Sequence, residues 1–310
     1  MLKDIQSQPS ALKILFGTLK RKRLPTSILM SGQRGVGKRF AAMNYAKAIN
    51  CFEPADFDSC DKCVSCNKIN ALIHPDIHII EPQNEEIKID SIRRLQEILS
   101  LKSFEGRRKI AIIDDSERMN ANAANAFLKT LEEPPDNCTI VLISSNEDML
   151  PATIKSRCVR IGFSPLSAEA CKKIISAHRS PKDIDLYVNL SMGMPGVAIT
   201  RDFSEEKKWF SALLRNMISN NSKEIWADRE QMKTWLDLSA IFVRDAIVYE
   251  VTGNKSDRLF GEVNKCESIE KALDVYEQCQ EVLNLIDANL NKSIAWNYVS
   301  GIMKSFVKNA

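Results

Sequence analysis

The sequence predicts an α/β protein, with a mostly parallel sheet flanked by helices and then an all-helical C-terminal part. Three observations carry this reading. Short β-prone runs alternate with helical stretches up to about residue 163. A glycine loop of the form G-x-x-x-x-G-K joins one such strand to the helix after it. Beyond Phe163-Ser164-Pro165 the β-rich runs stop and helical periods take over.

Taken in order, residues 26–30 form a short apolar strand ending at Gly32. Residues 38–49 form a helix that places Phe40, Ala41, Tyr45, Ala46 and Ile49 on one side. Further strands are expected at 77–81, 109–113, 139–144 and 159–161, separated by helices at 89–101, 120–133 and 151–156. Residues 167–200 read as a small helical unit, with Ser167 as N-cap and Gly193-Met194-Pro195-Gly196 punctuating two helices. From Ser204 longer helices follow. There Ala272, Tyr276, Cys279, Leu283, Ile286 and Leu290 recur at helical steps as one apolar stripe, either core or subunit interface. The expected division is 1–165, 166–203 and 204–310, with an insertion at about 50–70.

Composition sets bounds on function. With 310 residues, 44% hydrophobic and 27% charged, the chain is long enough for two or three domains with real cores. No apolar run of about eighteen residues and no secretory core after Met1 is present, so a soluble cytoplasmic protein without membrane contact is expected. The net charge of +3 is too small to mark a nucleic-acid binder. Arg93, Arg94, Arg107 and Arg108 read as solvated surface before they read as DNA contacts. Trp209, Trp226, Trp235 and Trp296 all fall in the helical region, where packing is expected of them rather than base stacking.

Gly32, Gly35, Gly37 and Lys38 match a phosphate loop, in which glycines let backbone N–H groups approach phosphate oxygens and lysine adds a point charge. The next residue is Arg39, where a Ser or Thr hydroxyl would coordinate magnesium. An apolar run from Lys109 closes on Asp114 and Asp115, as a Walker B strand does. Asp115 stands where an active ATPase of this kind carries the longer glutamate. A degenerate nucleotide site follows: ATP held without turnover, or no ATP at all.

Cys51, Cys60, Cys63 and Cys66 offer four soft thiolates within sixteen residues. Such a set suits a closed, tetrahedral structural zinc site holding together an insertion too small for its own core. An iron–sulfur cluster is the competing reading, with no redox chemistry elsewhere to favour it. Four thiolates fill the shell, leaving His74 and His78 outside it.

Four further segments carry a resemblance: His74-Pro75-Asp76-Ile77, the run Ile87 to Arg93, the run Asn125 to Pro135, and Ser156-Arg157-Cys158. With the loop and the cysteines, they make the chain similar to the AAA+ clamp-loader family of bacterial DNA polymerase III, in particular its delta-prime branch. The resemblance covers the first 165 residues by motif and the remainder by length and character. It implies a RecA-like AAA+ sheet domain with a zinc module, a helical lid and an all-α collar for oligomerisation. It also implies a hetero-pentamer with gamma/tau and delta subunits, acting on a sliding clamp and primed DNA. By the same match Arg157 is an arginine finger for a neighbour's ATP, and Asn146, after Ser144-Ser145, stands at the sensor 1 position. Gly193 to Gly196 occupies the sensor 2 region without an arginine. The gamma/tau motor ATPase and another AAA+ regulator are the alternatives, and Arg39, Asp115 and the missing sensor 2 arginine all weigh against a motor.

Overall fold

The computed structural model describes residues 1–21, 23–179, 184–218, 226, 228–253, 260, 268–285 and 291–308. The chain divides into two compact units. One comprises Met1–Arg179 with Ser191–Ile199, the other Ser180–Leu190 with Thr200–Ala310.

The first unit is built on five parallel strands: β1 (Ser27–Ser31), β2 (Ile77–Ile80), β3 (Lys109–Ile113), β4 (Cys138–Ser144) and β5 (Val159–Gly162). Their order is β2-β3-β4-β1-β5, so the loop-bearing β1 lies inside the sheet between β4 and β5. Ile28 pairs with Val141 on one side and Val159 on the other. Central parallel strands are covered on both faces and so read as unbroken apolar runs. β3 and β4 are buried at every position, whereas β5, at the edge, buries only Ile161.

Side chains alternate across the sheet. Leu29, Ala111, Ile113, Ile140 and Leu142 join one core with Ile92, Leu95 and Leu99 of α4 (Ile89–Ser100) and Phe127 of α5 (Ala121–Glu132). The alternate residues Ile28, Met30, Ile110, Ile112, Val141 and Ile143 are equally buried. Helix α2 (Lys38–Asn50) packs on β4, and α1 (Pro9–Lys20) packs on β5 and α2. The strands and the helices α2, α4 and α5 fall within a residue or two of the sequence expectation. Helix α1 and the short α3 (Val64–Asn70) carry no sequence assignment. The expected helix at 151–156 is the single turn α6 (Ala152–Lys155). Ser167 caps α7 (Ala168–Ser176) through the Ala170 amide, as its position predicts.

His74 and Asp76 belong to a buried tie at the sheet edge rather than to any metal shell. The Asp76 carboxylate accepts the amides of Phe104, Glu105 and Gly106 at 2.7, 2.8 and 2.6 Å. His74 accepts the Asp76 amide at Nδ1, and its Nε2 meets the Ser65 hydroxyl at 3.3 Å. Burial works to raise the Asp76 carboxyl, but the three amide donors overcome it, and its pKa lies below the ordinary value. A depressed carboxylate stabilises the fold above its unfolded pKa of about 3.9 and loses that contribution as pH falls through the folded value. We expect Asp76→Ala to cost roughly 3 kcal/mol and to speed amide exchange at residues 104–106, with the wild-type protection lost only in acid below about pH 4. Hydrogen exchange read across pH checks both.

Helix α9 (Pro195–Thr200) falls in the first unit up to Ile199, while the second unit holds α8 (Ile184–Ser191) up to Leu190, α10 (Phe203–Ile218), α11 (Arg229–Thr252), α12 (Ile269–Leu285) and α13 (Lys292–Lys308). Trp226, Trp235 and Trp296 are buried together, with Trp226 and Trp296 edge to face at 4.9 Å. They serve packing, as expected, while Trp209 is half-buried. Of the apolar stripe, Ala272 and Cys279 are buried and Tyr276 and Leu283 half-buried, and Ile286 and Leu290 lie outside the described residues. Among the described residues no helix is long and apolar enough to cross a membrane.

Candidate nucleotide site and metal centre

The glycine loop leaves the C-terminal end of β1 and runs into α2, where ligands of open α/β sheets gather. Gly32, Gly35 and Gly37 all have positive φ. At Gly35 the requirement is also one of space, since a β-carbon there would stand 2.8 Å from Val197 Cγ2. Gly196 donates its amide to the Gly35 carbonyl at 3.0 Å, so two glycines let the segment before Ile199 lie directly on the phosphate loop. In the sequence Gly196 reads as punctuation only.

Lys38 is buried, and its Nζ donates to the carbonyls of Gly32 and Gln33. Burial lowers its pKa, against the pull of Glu117, Asp114 and Asp115. Arg39 reaches across to the ends of β3 and β2, which lie beyond β4 in the sheet. Its Nη1 bonds Glu81, just past β2, and Asp114 Oδ2, just past β3, at 3.2 Å for the latter. Burial first, then the adjacent Asp115, pushes the Asp114 carboxyl up, while Arg39 acts to hold it down.

Asp115 takes a left-handed conformation (φ 45°, ψ 49°) and opens a single 3-10 turn, Ser116–Arg118. Glu117 in that turn accepts the amide and hydroxyl of Ser145. Neither Glu81 nor Glu117 carries a motif, and only the strand order brings them to the loop. Gly35, Gly37, Lys38, Arg39, Asp114 and Asp115 line one cavity of about 610 Å³, whose other walls include Ile5, Ile174 and Pro195. Gly32 is not part of the lining, and its carbonyl accepts from Lys38. Asn146 is exposed at the end of β4, where its Oδ1 caps the following turn by accepting from Asp148. Its side chain does not line the cavity.

Arg157 lies apart from the cavity, on the turn after α6. Its Nη2 bonds Glu132 Oε1 at 2.6 Å and its Nη1 the Thr153 carbonyl at 2.8 Å, both at the solvent-exposed surface. Arg93, Arg94 and Arg107 are exposed. Arg108 is a different case: it is half-buried, spending its guanidinium on Thr139 Oγ1 and the Cys138 carbonyl, so it is tied into the sheet rather than presented to a nucleic acid.

The four cysteine Sγ atoms all lie within 4.8 Å of one another, and Cys51 and Cys63 stand 4.0 Å apart. A tetrahedral ion with metal–sulfur bonds of about 2.3 Å requires sulfur–sulfur separations of about 3.8 Å, so this set fits a metal. Amides of Cys60, Cys63 and Cys66 donate to the sulfurs of Cys51, Cys60 and Cys63. Burial works to raise the Cys63 thiol, but the Cys66 and Phe52 amides outweigh it and hold the pKa at about 6, whereas burial pushes the Cys51 and Cys66 thiols up. Asp58 in the same insertion accepts the amides of Leu2 and Lys3 at 2.9 and 3.0 Å, tying down the segment that leads to Ile5.

A family model described as DNA polymerase III, delta subunit, matches residues 7–167. The chain is 30% identical over 267 residues to DNA polymerase III subunit delta' of Bacillus subtilis, covering 82% of this chain and 80% of that one. To the delta' subunit of Pseudomonas aeruginosa it is 40% identical over 134 residues, 43% of this chain and 41% of that one. Among solved structures it resembles a DNA polymerase III gamma subunit-related protein of Thermotoga maritima, with a TM-score of 0.47 and 20% identity over 94% of this chain and 99% of that one. From the matched residues and the length shared with the Bacillus relative, the chain belongs to the delta-prime family of DNA polymerase III clamp-loader subunits.

Proposed function

We propose that this chain is the delta-prime subunit of a clamp loader that places a sliding clamp on primed DNA in the cytoplasm, and that it assembles with gamma/tau and delta subunits in a hetero-pentamer. It turns over little or no ATP itself and supplies Arg157 to a neighbour's nucleotide. The observation that carries the non-hydrolysing part is Arg39. It stands where a motor subunit needs a magnesium-coordinating hydroxyl, and its guanidinium engages Asp114, the carboxylate a Walker B strand offers to the metal.

Arg157 suits a role in trans because it projects at the surface away from its own cavity and carries a planar, permanently charged fork. Its pairing with Glu132 is exposed, and such pairs are worth about 1 kcal/mol or less, so the guanidinium transfers to a neighbour's γ-phosphate at little cost. Placed there it stabilises charge that develops on the transferred group. In the metal centre Cys51, Cys60, Cys63 and Cys66 hold structural zinc, which supplies cross-linking and no chemistry of its own. The three-part division at about residues 165 and 203 assigns the cavity to the sheet and lid, and assembly to the last helices.

The motor reading draws on identity to gamma/tau subunits, such as 34% over 181 residues to DNA polymerase III subunit tau of Bacillus subtilis, covering 57% of this chain and 32% of that one. Reconstitution separates the two. With this chain the loader deposits clamps on primed DNA, and without it loading stops, while the isolated chain shows no ATP turnover above background. Brisk hydrolysis by the isolated chain overturns the assignment in favour of the motor.

A further inference from the structure

The residue after the loop lysine lies at the first turn of α2, and in a magnesium-dependent site its hydroxyl and the Walker B carboxylate hold the metal between them. Here that position projects a cation instead. The Arg39 guanidinium lies between the two carboxylates at the C-terminal ends of β2 and β3, bonded by Nη1 to both Glu81 and Asp114. Asp114 is the more buried partner, with a side-chain exposure of 17%. A divalent ion entering here would have to displace a positive charge already hydrogen-bonded to the carboxylate it needs. It would also find no hydroxyl on the helix to complete its shell.

The rest of the site keeps its capacity for an anion. Lys38 is poised under the loop on two backbone carbonyls, an arrangement an entering phosphate replaces with a stronger charge-assisted bond. Gly37, with nothing within 4 Å of where a β-carbon would stand, leaves its part of the loop open to an anion, while Gly35 is covered by Val197. The cavity, at about 610 Å³, has the size of a cofactor pocket, and Ile5, Ile174 and Pro195 give it apolar walls of the kind a purine base lies against. An arginine fork carries five N–H donors, and Nη1 alone serves both carboxylates, so the same group can bridge Asp114 to a phosphate oxygen as the metal does elsewhere.

We infer that Arg39 is a built-in replacement for the divalent cation, and that the cavity takes a nucleoside triphosphate free of metal. This deepens the proposed non-hydrolysing role, with which it shares the Arg39–Asp114 contact, and is independent of the role given to Arg157. Nucleotide binding is read on the isolated protein, whereas the role of Arg157 is read on turnover of the assembled complex, so either can fail alone.

The test is an equilibrium titration of the isolated full-length chain with ATP, followed by calorimetry, in millimolar magnesium and again in EDTA. The comparison includes Arg39→Thr, Arg39→Ser as a second form of the same change, and Lys38→Ala. Far-ultraviolet circular dichroism confirms that each variant is folded. The expected result is a wild-type affinity that differs by less than about twofold between the two conditions, or is weaker in magnesium, because no metal shell forms. Restoring the hydroxyl in either variant makes binding stronger in magnesium than in EDTA by about tenfold, and Lys38→Ala weakens it in both. A wild-type protein that loses about tenfold or more in EDTA overturns the inference. So does a folded wild-type protein that binds no ATP in either condition, and so does a hydroxyl variant as indifferent to magnesium as the wild type.

Discussion

Arg157→Ala in an otherwise intact loader is expected to slow hydrolysis at the site it completes by about a thousandfold, the lower end of what arginine fingers contribute in trans. The loss in total steady-state rate equals that site's share when the sites fire independently and exceeds it when they fire in order. Single-turnover hydrolysis with clamp and primed DNA present separates the two. Arg157→Lys is expected to recover little, because the ammonium has the charge without the planar fork. The surroundings of Arg157 make the experiment clean. Among the described residues the guanidinium bonds exposed Glu132, the Thr153 carbonyl and the Ser156 hydroxyl, so the substitution leaves the core in place. An unchanged rate in the assembled complex would remove Arg157 from the reaction.

Metal removal is the second large effect. Replacing Cys66, which is fully buried, with Ser, or chelating the metal, is expected to unfold the insertion between Cys51 and Cys66. Structural zinc contributes about 10–16 kcal/mol of apparent binding free energy in isolated finger peptides, and this insertion has little apolar core to compensate. Phe52, Phe57 and Val64 are all exposed within it. The change should propagate along two hydrogen-bonded routes. Ser65 donates to the Asn50 carbonyl at 2.8 Å, so the end of α2 loosens, and Asp58 releases the amides of Leu2 and Lys3. Hydrogen exchange should rise at residues 2–5 and 51–66 while β3 and β4 remain protected. Protection unchanged after metal removal would show that the thiols hold the insertion by packing alone.

The sheet was legible in the sequence because buried parallel strands are unbroken apolar runs, and β3 and β4 stand out from their charged neighbours on that ground. The phosphate loop and the cysteines were legible because their chemistry demands fixed spacing. Helix α1 was not, since only Ala11 and Leu15 are buried among its twelve residues and no side chain caps its start. Glu81 and Glu117 were invisible for a different reason. They sit in no pattern, and their meaning depends on β2 lying beside β3 and on a turn that points Glu117 toward Ser145. The same holds for Gly196, whose role is to let one backbone approach another from far along the chain. Arg108 shows the converse error, because four arginines in two pairs look alike in sequence, yet one of them is spent on the interior of the sheet.

The grip of Asp58 on Leu2 and Lys3 also bears on the order of events as the chain is made. Residues 2 and 3 leave the ribosome before Asp58, which lies between Cys51 and Cys60 and holds their amides once the insertion has formed. An early-synthesised wall of the cavity, at Asp4, Ile5 and Gln6, therefore waits for the insertion, which itself emerges before β2 to β5. A chain without its metal is expected to keep the sheet and to lose the Asp58 tie that leads to this wall of the cavity.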